Sequence, residues 1–145
     1  MDADQIFSAG SALAMTGWLV LLASPFVPRV ADAVATHVIP LLLSVAYAGL
    51  ILAYWTSGEG GFDSLDNVAL LFQTRELLLA GWLHYLAFDL FVGAWIVRTA
   101  RGEAIPYWMV VACLPATFLF GPVGYLAFAM VRFARARVGK PRLAT

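Results

Sequence analysis

The chain has 145 residues, the length of one ordinary domain, but 62% are hydrophobic, only 12% are charged and the mean hydropathy is +0.84. A soluble domain is about half apolar and about a quarter charged, so a water-soluble globule is excluded. The 14% aromatic content excludes a disordered chain, the single Cys113 a disulfide scaffold, and the balance of nine basic against nine acidic residues a nucleic-acid binder. The class is integral membrane protein.

A helix that crosses a bilayer needs roughly 20 mostly apolar residues. In chain order such runs lie at about 6–27, ended by Pro25 and Pro28; about 38–56; about 77–97, which holds His84 and Asp89; and about 106–131, interrupted by Pro115 and Gly121-Pro122. The prolines of the fourth run interrupt its backbone bonding, which neighbouring helices must repair. A cleaved signal peptide begins with a basic region, whereas this chain begins Met1-Asp2-Ala3-Asp4. It then stays apolar for longer than a signal core, so the first run is expected to be a retained span. Between the second and third runs, Phe62, Leu65, Ala69 and Phe72 recur three or four residues apart. That spacing suits a short helix along the interface as well as a solvated loop.

Four spans place the N-terminus, the loop before Glu76 and the C-terminus on one side, together with Arg75, Arg132, Arg135, Arg137, Lys140 and Arg142. Arg29, Arg98 and Arg101 fall on the other. The positive-inside rule then puts both termini in the cytoplasm. The expectation is an all-α, four-helix bundle forming a single transmembrane domain over 1–145, in the inner membrane of a bacterium. The basic tail 132–145 would anchor to anionic lipid.

Asp89 is the one carboxylate in the middle of an apolar run. A charge there costs about 2.5 to 3.5 kcal/mol, so such a residue is turned into the bundle, paired or kept protonated. At about 100° per residue, Arg75, Leu78, Trp82, Tyr85, Asp89 and Gly93 share one stripe, and Leu77, Gly81, His84, Phe88, Phe91 and Trp95 share its neighbour. Tyr85 and Asp89 can therefore meet, whereas His84 lies about 140° away from Asp89. Either a large ligand bridges them or one pairs with another helix. Interhelical pairing without chemistry explains each of them equally well. Glu76 suits the dipole at the start of its helix, with or without a further role. Phe88, Phe91, Phe118, Phe120 and Phe128 lie deep enough to line an apolar slot or to pack.

Other chemistries are set aside. His37, His84 and Cys113 have no metal-ligand spacing, and neither a nucleophile elbow nor a phosphate loop is present. His37 and His84 fall at different depths, against a haem held between them. Lys140, the only lysine, lies in the tail, which excludes a retinal Schiff base. One carboxylate and one histidine do not make a proton relay across the bilayer.

The run Gly81-Trp82-Leu83-His84-Tyr85-Leu86-Ala87-Phe88-Asp89-Leu90-Phe91-Val92-Gly93 resembles the Trp-x-His-x-x-x-x-Asp-Leu-Phe signature of the neoxanthin synthase-like membrane family. Phe120-Gly121-Pro122-Val123-Gly124 is similar to that family's Cys/Gly-Pro-Val-Gly. Weaker similarity covers Phe7-Ser8-Ala9-Gly10, Ser24-Pro25 and Leu71-Phe72 with Glu76. The resemblance implies a role around carotenoids: the plant relative is required to turn violaxanthin into neoxanthin, opening an epoxide and creating an allene. The intramembrane position of these side chains, to which the motif adds weight at Trp82, His84 and Asp89, makes Asp89, His84 and Glu76 candidate catalytic residues, and Trp82, Tyr85, Phe88, Arg75 and Phe120 candidate substrate contacts. The ligand is a carotenoid or other apolar isoprenoid, and the chemistry is acid/base isomerisation. Such a reaction leaves the oxidation level unchanged and requires no cofactor or metal. The alternative is a non-catalytic pigment-binding or assembly subunit beside a carotenoid enzyme or photosynthetic complex. A homo-oligomer or another membrane protein could cover the polar face of the bundle.

Overall fold

The computed structural model describes residues 2–138, so Lys140 and Arg142 of the expected tail lie outside the described residues. The described chain is helical, without a strand. Helix α1 (Ala3–Leu22) starts in a capping box: Gln5 N–H donates to Asp2 Oδ1 (2.8 Å) while Asp2 N–H donates to Gln5 Oε1 (3.1 Å). It buries Gly10, Ala14, Gly17, Trp18 and Leu21, one stripe at helical spacing.

Helix α2 (Pro28–Ala33), a π turn (Val34–Val38) and α3 (Ile39–Tyr54) run on as one rod, Pro28–Ser57. Pro40 has no N–H to give back to the preceding turn, and the ladder widens there, with Ile39 N–H reaching Val34 O. The interfacial periodicity is realised as α4 (Leu65–Leu71), capped by Ser64 Oγ, which accepts from Asn67 N–H (3.2 Å). Helix α5 (Arg75–Gly102) is the axis of the molecule. Its 28 residues rise about 42 Å, enough to cross hydrocarbon about 30 Å thick. Leu83 and Leu90 fill the space over Gly10 and Gly17, and Trp18 covers Gly93, so small residues let α1 and α5 approach closely. Three helices, α1, the Pro28–Ser57 rod and α5, are long and apolar enough to cross a membrane.

The segment expected as a fourth span is different. It breaks at Gly121 (φ +28°, ψ −80°) into α6 (Tyr107–Phe120) and α7 (Pro122–Val138). The two arms fold back on each other. Arg132 of α7 donates through Nε to Glu103 Oε2 (2.8 Å) and through its terminal nitrogen to Oε1, joining the far end of α7 to the chain just before α6. This bond holds the Glu103 carboxyl below the usual glutamate range. At about 1.5 Å per residue, a straight helix over the same segment would separate these groups by about 40 Å. Residues 106–131 therefore form a hairpin whose apex lies against the middle of α5. The cause is local: proline cannot continue the α6 ladder, and Gly121 supplies a backbone angle that other residues avoid.

The hairpin also corrects the expectation that both termini lie on one side. Asp4 pairs with Arg75 (2.5 Å) at one end of the bundle, whereas Asp32 pairs with Arg101 (2.8 Å) and Glu103 with Arg132 at the other. Ala3 and Val138 thus lie at opposite ends. The charges divide accordingly: Asp2, Asp4, Glu59, Asp63, Asp66 and Glu76 gather with Arg75, while Arg29, Arg98, Arg101, Arg132, Arg135 and Arg137 gather with Asp32 and Glu103.

A Cβ at Gly121 would run into the Asp89 carboxyl and would also strain the backbone. Gly121→Ala should cost about 1–3 kcal/mol from backbone strain alone. The expected result is a lower melting temperature in detergent and faster trypsin cleavage at Arg132, which Glu103 holds in the parent. An unchanged melting temperature would show that the apex does not need glycine.

Candidate functional site

Asp89 lies on α5 directly under the hairpin apex. It is only 8% exposed, and its Oδ2 is buried without a hydrogen-bond partner. Its other oxygen faces Gly121. Tyr85, one turn earlier, donates its hydroxyl to Leu119 O (2.9 Å) and lies 3.2 Å from Phe118 O, the carbonyls that α6 leaves open at its last turn. These contacts explain how the non-helical backbone at the apex is held halfway along α5: it is buried against protein, and its polar groups are met. Thr117 is fully buried, and its Oγ1 donates to Cys113 O (3.0 Å).

From Tyr85 the polar stripe continues towards the acidic end. Trp82 stacks on Tyr85 (5.4 Å between centroids), packs against Phe7 (5.5 Å) and donates Nε1–H to Ser11 Oγ (3.1 Å). Beyond it, Phe7, Leu78, Trp82 and the Asp4–Arg75 pair line an open groove of about 370 Å³ between α1 and α5. The hairpin occupies only the half of this α5 face nearer the basic end. The half nearer the acidic end is left as an aromatic wall, with Trp82 at 37% and Leu78 at 54% exposure.

The structure does not bring the three candidate catalytic residues together. His84 points away from Asp89, stacking on Phe88 (4.6 Å) and beside Tyr47 of α3 (5.6 Å). Glu76 sits in the first turn of α5, 13 residues or about 20 Å along the axis from Asp89. Of the candidate ligand contacts, Arg75, Trp82 and Tyr85 share the Asp89 stripe; Phe88 is exposed beside His84, and Phe120 is exposed beside the apex. Tyr85 and Asp89 meet as expected, side by side under the apex, while the tyrosine hydroxyl proton goes to the hairpin carbonyls. Sequence reasoning marked Gly121 as an interruption but missed its place against Asp89, and it missed the Phe118 and Leu119 carbonyls and Ser11. Only Gly121 carried a signal, since Gly-Pro pairs mark turns.

No curated protein and no solved structure matches the chain. A family model described as ABA4-like, ABA DEFICIENT 4-like, matches residues 5–128, in agreement with the resemblance carried by residues 81–93. The matched residues include Trp82, Tyr85, Asp89 and Gly121, and the chain belongs to the ABA DEFICIENT 4-like family.

Proposed function

We propose that this protein acts in carotenoid metabolism, holding a carotenoid or related isoprenoid in the membrane against the aromatic wall of α5 and isomerising it with Asp89 as proton carrier. The observation that carries this reading is the buried, unpartnered Asp89 oxygen at the hairpin apex. A polar atom left unmet in such surroundings is expensive, and intramembrane carboxyls of this kind mark sites of function.

One carboxyl suffices for the chemistry. Protonated Asp89 gives its proton to an epoxide oxygen as the carbon–oxygen bond opens. The carboxylate so formed then removes a proton from the neighbouring carbon, which creates the new double bond and restores the acid. Atoms and electrons balance without an oxidant. The ring of Tyr85, one turn from Asp89, stabilises the intervening cation, and Trp82 holds the rest of the polyene. His84, on the other side of α5, packs and takes no part in proton transfer.

One observation favours the non-catalytic reading: the grooves that open on the surface are lined by residues other than Asp89. In that case the carboxyl only braces the apex and the aromatic wall holds pigment. Expression in a carotenoid-producing host tests the shared part of both readings. The purified protein should carry the structured visible absorption band of a polyene, and Trp82→Ala should reduce it. A colourless preparation would overturn both readings.

A further inference from the structure

A second groove, of about 730 Å³, lies between the two arms of the hairpin, away from Asp89. Small side chains create it: Ala112 and Cys113 on α6 face Ala127 and Ala134 on α7. From Ala127 it runs about 12 Å to Trp108 and Arg135 at the basic end. That length is close to one leaflet of hydrocarbon about 30 Å thick in all.

Its chemistry is two-sided. The walls are apolar, and the mouth is cationic. At this end of the bundle Asp32 is taken by Arg101 and Glu103 by Arg132. Among the described residues Arg135 meets only the Ala104 carbonyl at 3.4 Å, and Arg137 lies over the Phe133 ring at 4.2 Å. A second copy in the same orientation in the membrane would bring, among its described residues at this end, the same two engaged carboxylates and no spare counter-charge. A neutral polyene offers no anion either. We infer that the groove is a site for one anionic glycerophospholipid, with an acyl chain between α6 and α7 and its phosphate on Arg135.

The site is independent of the proposed chemistry, so Asp89→Asn should leave it intact. It is tested by native mass spectrometry of the full chain in detergent, offered phosphatidylglycerol and phosphatidylcholine with identical acyl chains. The parent should retain phosphatidylglycerol in preference. Arg135→Gln should lower that retention about fivefold, the effect of one basic side chain at an anionic surface. Arg135→Lys should keep most of it, and Ala112→Phe, which fills the groove, should reduce retention of both lipids. Both altered side chains are exposed, and melting curves check that the variants fold. Equal retention of the two lipids by the parent would overturn the assignment. So would a preference that survives either Arg135→Gln or Ala112→Phe, or a lipid-free dimer as the species occupying this face.

Discussion

Asp89→Asn should lower turnover of an epoxy-carotenoid by about 10²- to 10⁴-fold, the range general acid–base groups contribute, while leaving bound pigment and melting temperature near the parent values. The amide has the shape of the acid and fits under Gly121 as the carboxyl does, so the hairpin keeps its seat. It cannot deliver a proton and take one back. If Asp89 only braces the apex, the amide can hydrogen-bond there equally well, pigment binding should persist, and any turnover should be the same in Asp89→Asn as in the parent. Loss of pigment, fold and activity together would also favour the bracing role. His84→Gln is the control: the ring is on the opposite side of α5 against Phe88 and Tyr47, so turnover should be unchanged. A loss as large as that of Asp89→Asn would overturn the single-carboxyl chemistry and restore histidine to the mechanism.

What was legible in the sequence was what helical periodicity and hydrocarbon thickness decide. Runs of apolar residues gave the three long helices, and one carboxylate in an apolar run marked Asp89 as turned inward. The separation of His84 from Asp89 also follows from about 100° per residue alone. The hairpin was not legible, because an apolar segment with Pro115 and Gly121-Pro122 looks the same whether it kinks and continues or turns back. The deciding contacts, Arg132 with Glu103 and Tyr85 with the Leu119 carbonyl, join residues 29 and 34 positions apart. The site is incomplete in sequence for the same reason. Part of its boundary is backbone: the open carbonyls of α6 carry no residue-type signature, and Gly121-Pro122 signals a turn without saying what the turn docks against.

The hairpin reverses one consequence of the charge count. If residues 106–131 crossed the membrane, the α4 segment and α7's far end would lie on the same side. With a re-entrant hairpin they lie on opposite sides, and six arginines of the described chain gather with only Asp32 and Glu103 at one end. The positive-inside rule then directs the arginine-rich end to the cytoplasm and the acidic end, with Ala3 and α4, outward. In a Cys113→Ala background, Asp63→Cys should react with a membrane-impermeant maleimide in intact cells, and Ala136→Cys only after permeabilisation. The contrast is all or none, because both positions are exposed and the native Cys113 is buried. Equal labelling of the two cysteines would restore the fourth span and remove the hairpin apex from Asp89. Labelling of Ala136→Cys alone in intact cells would keep the hairpin but invert it, against the charge bias.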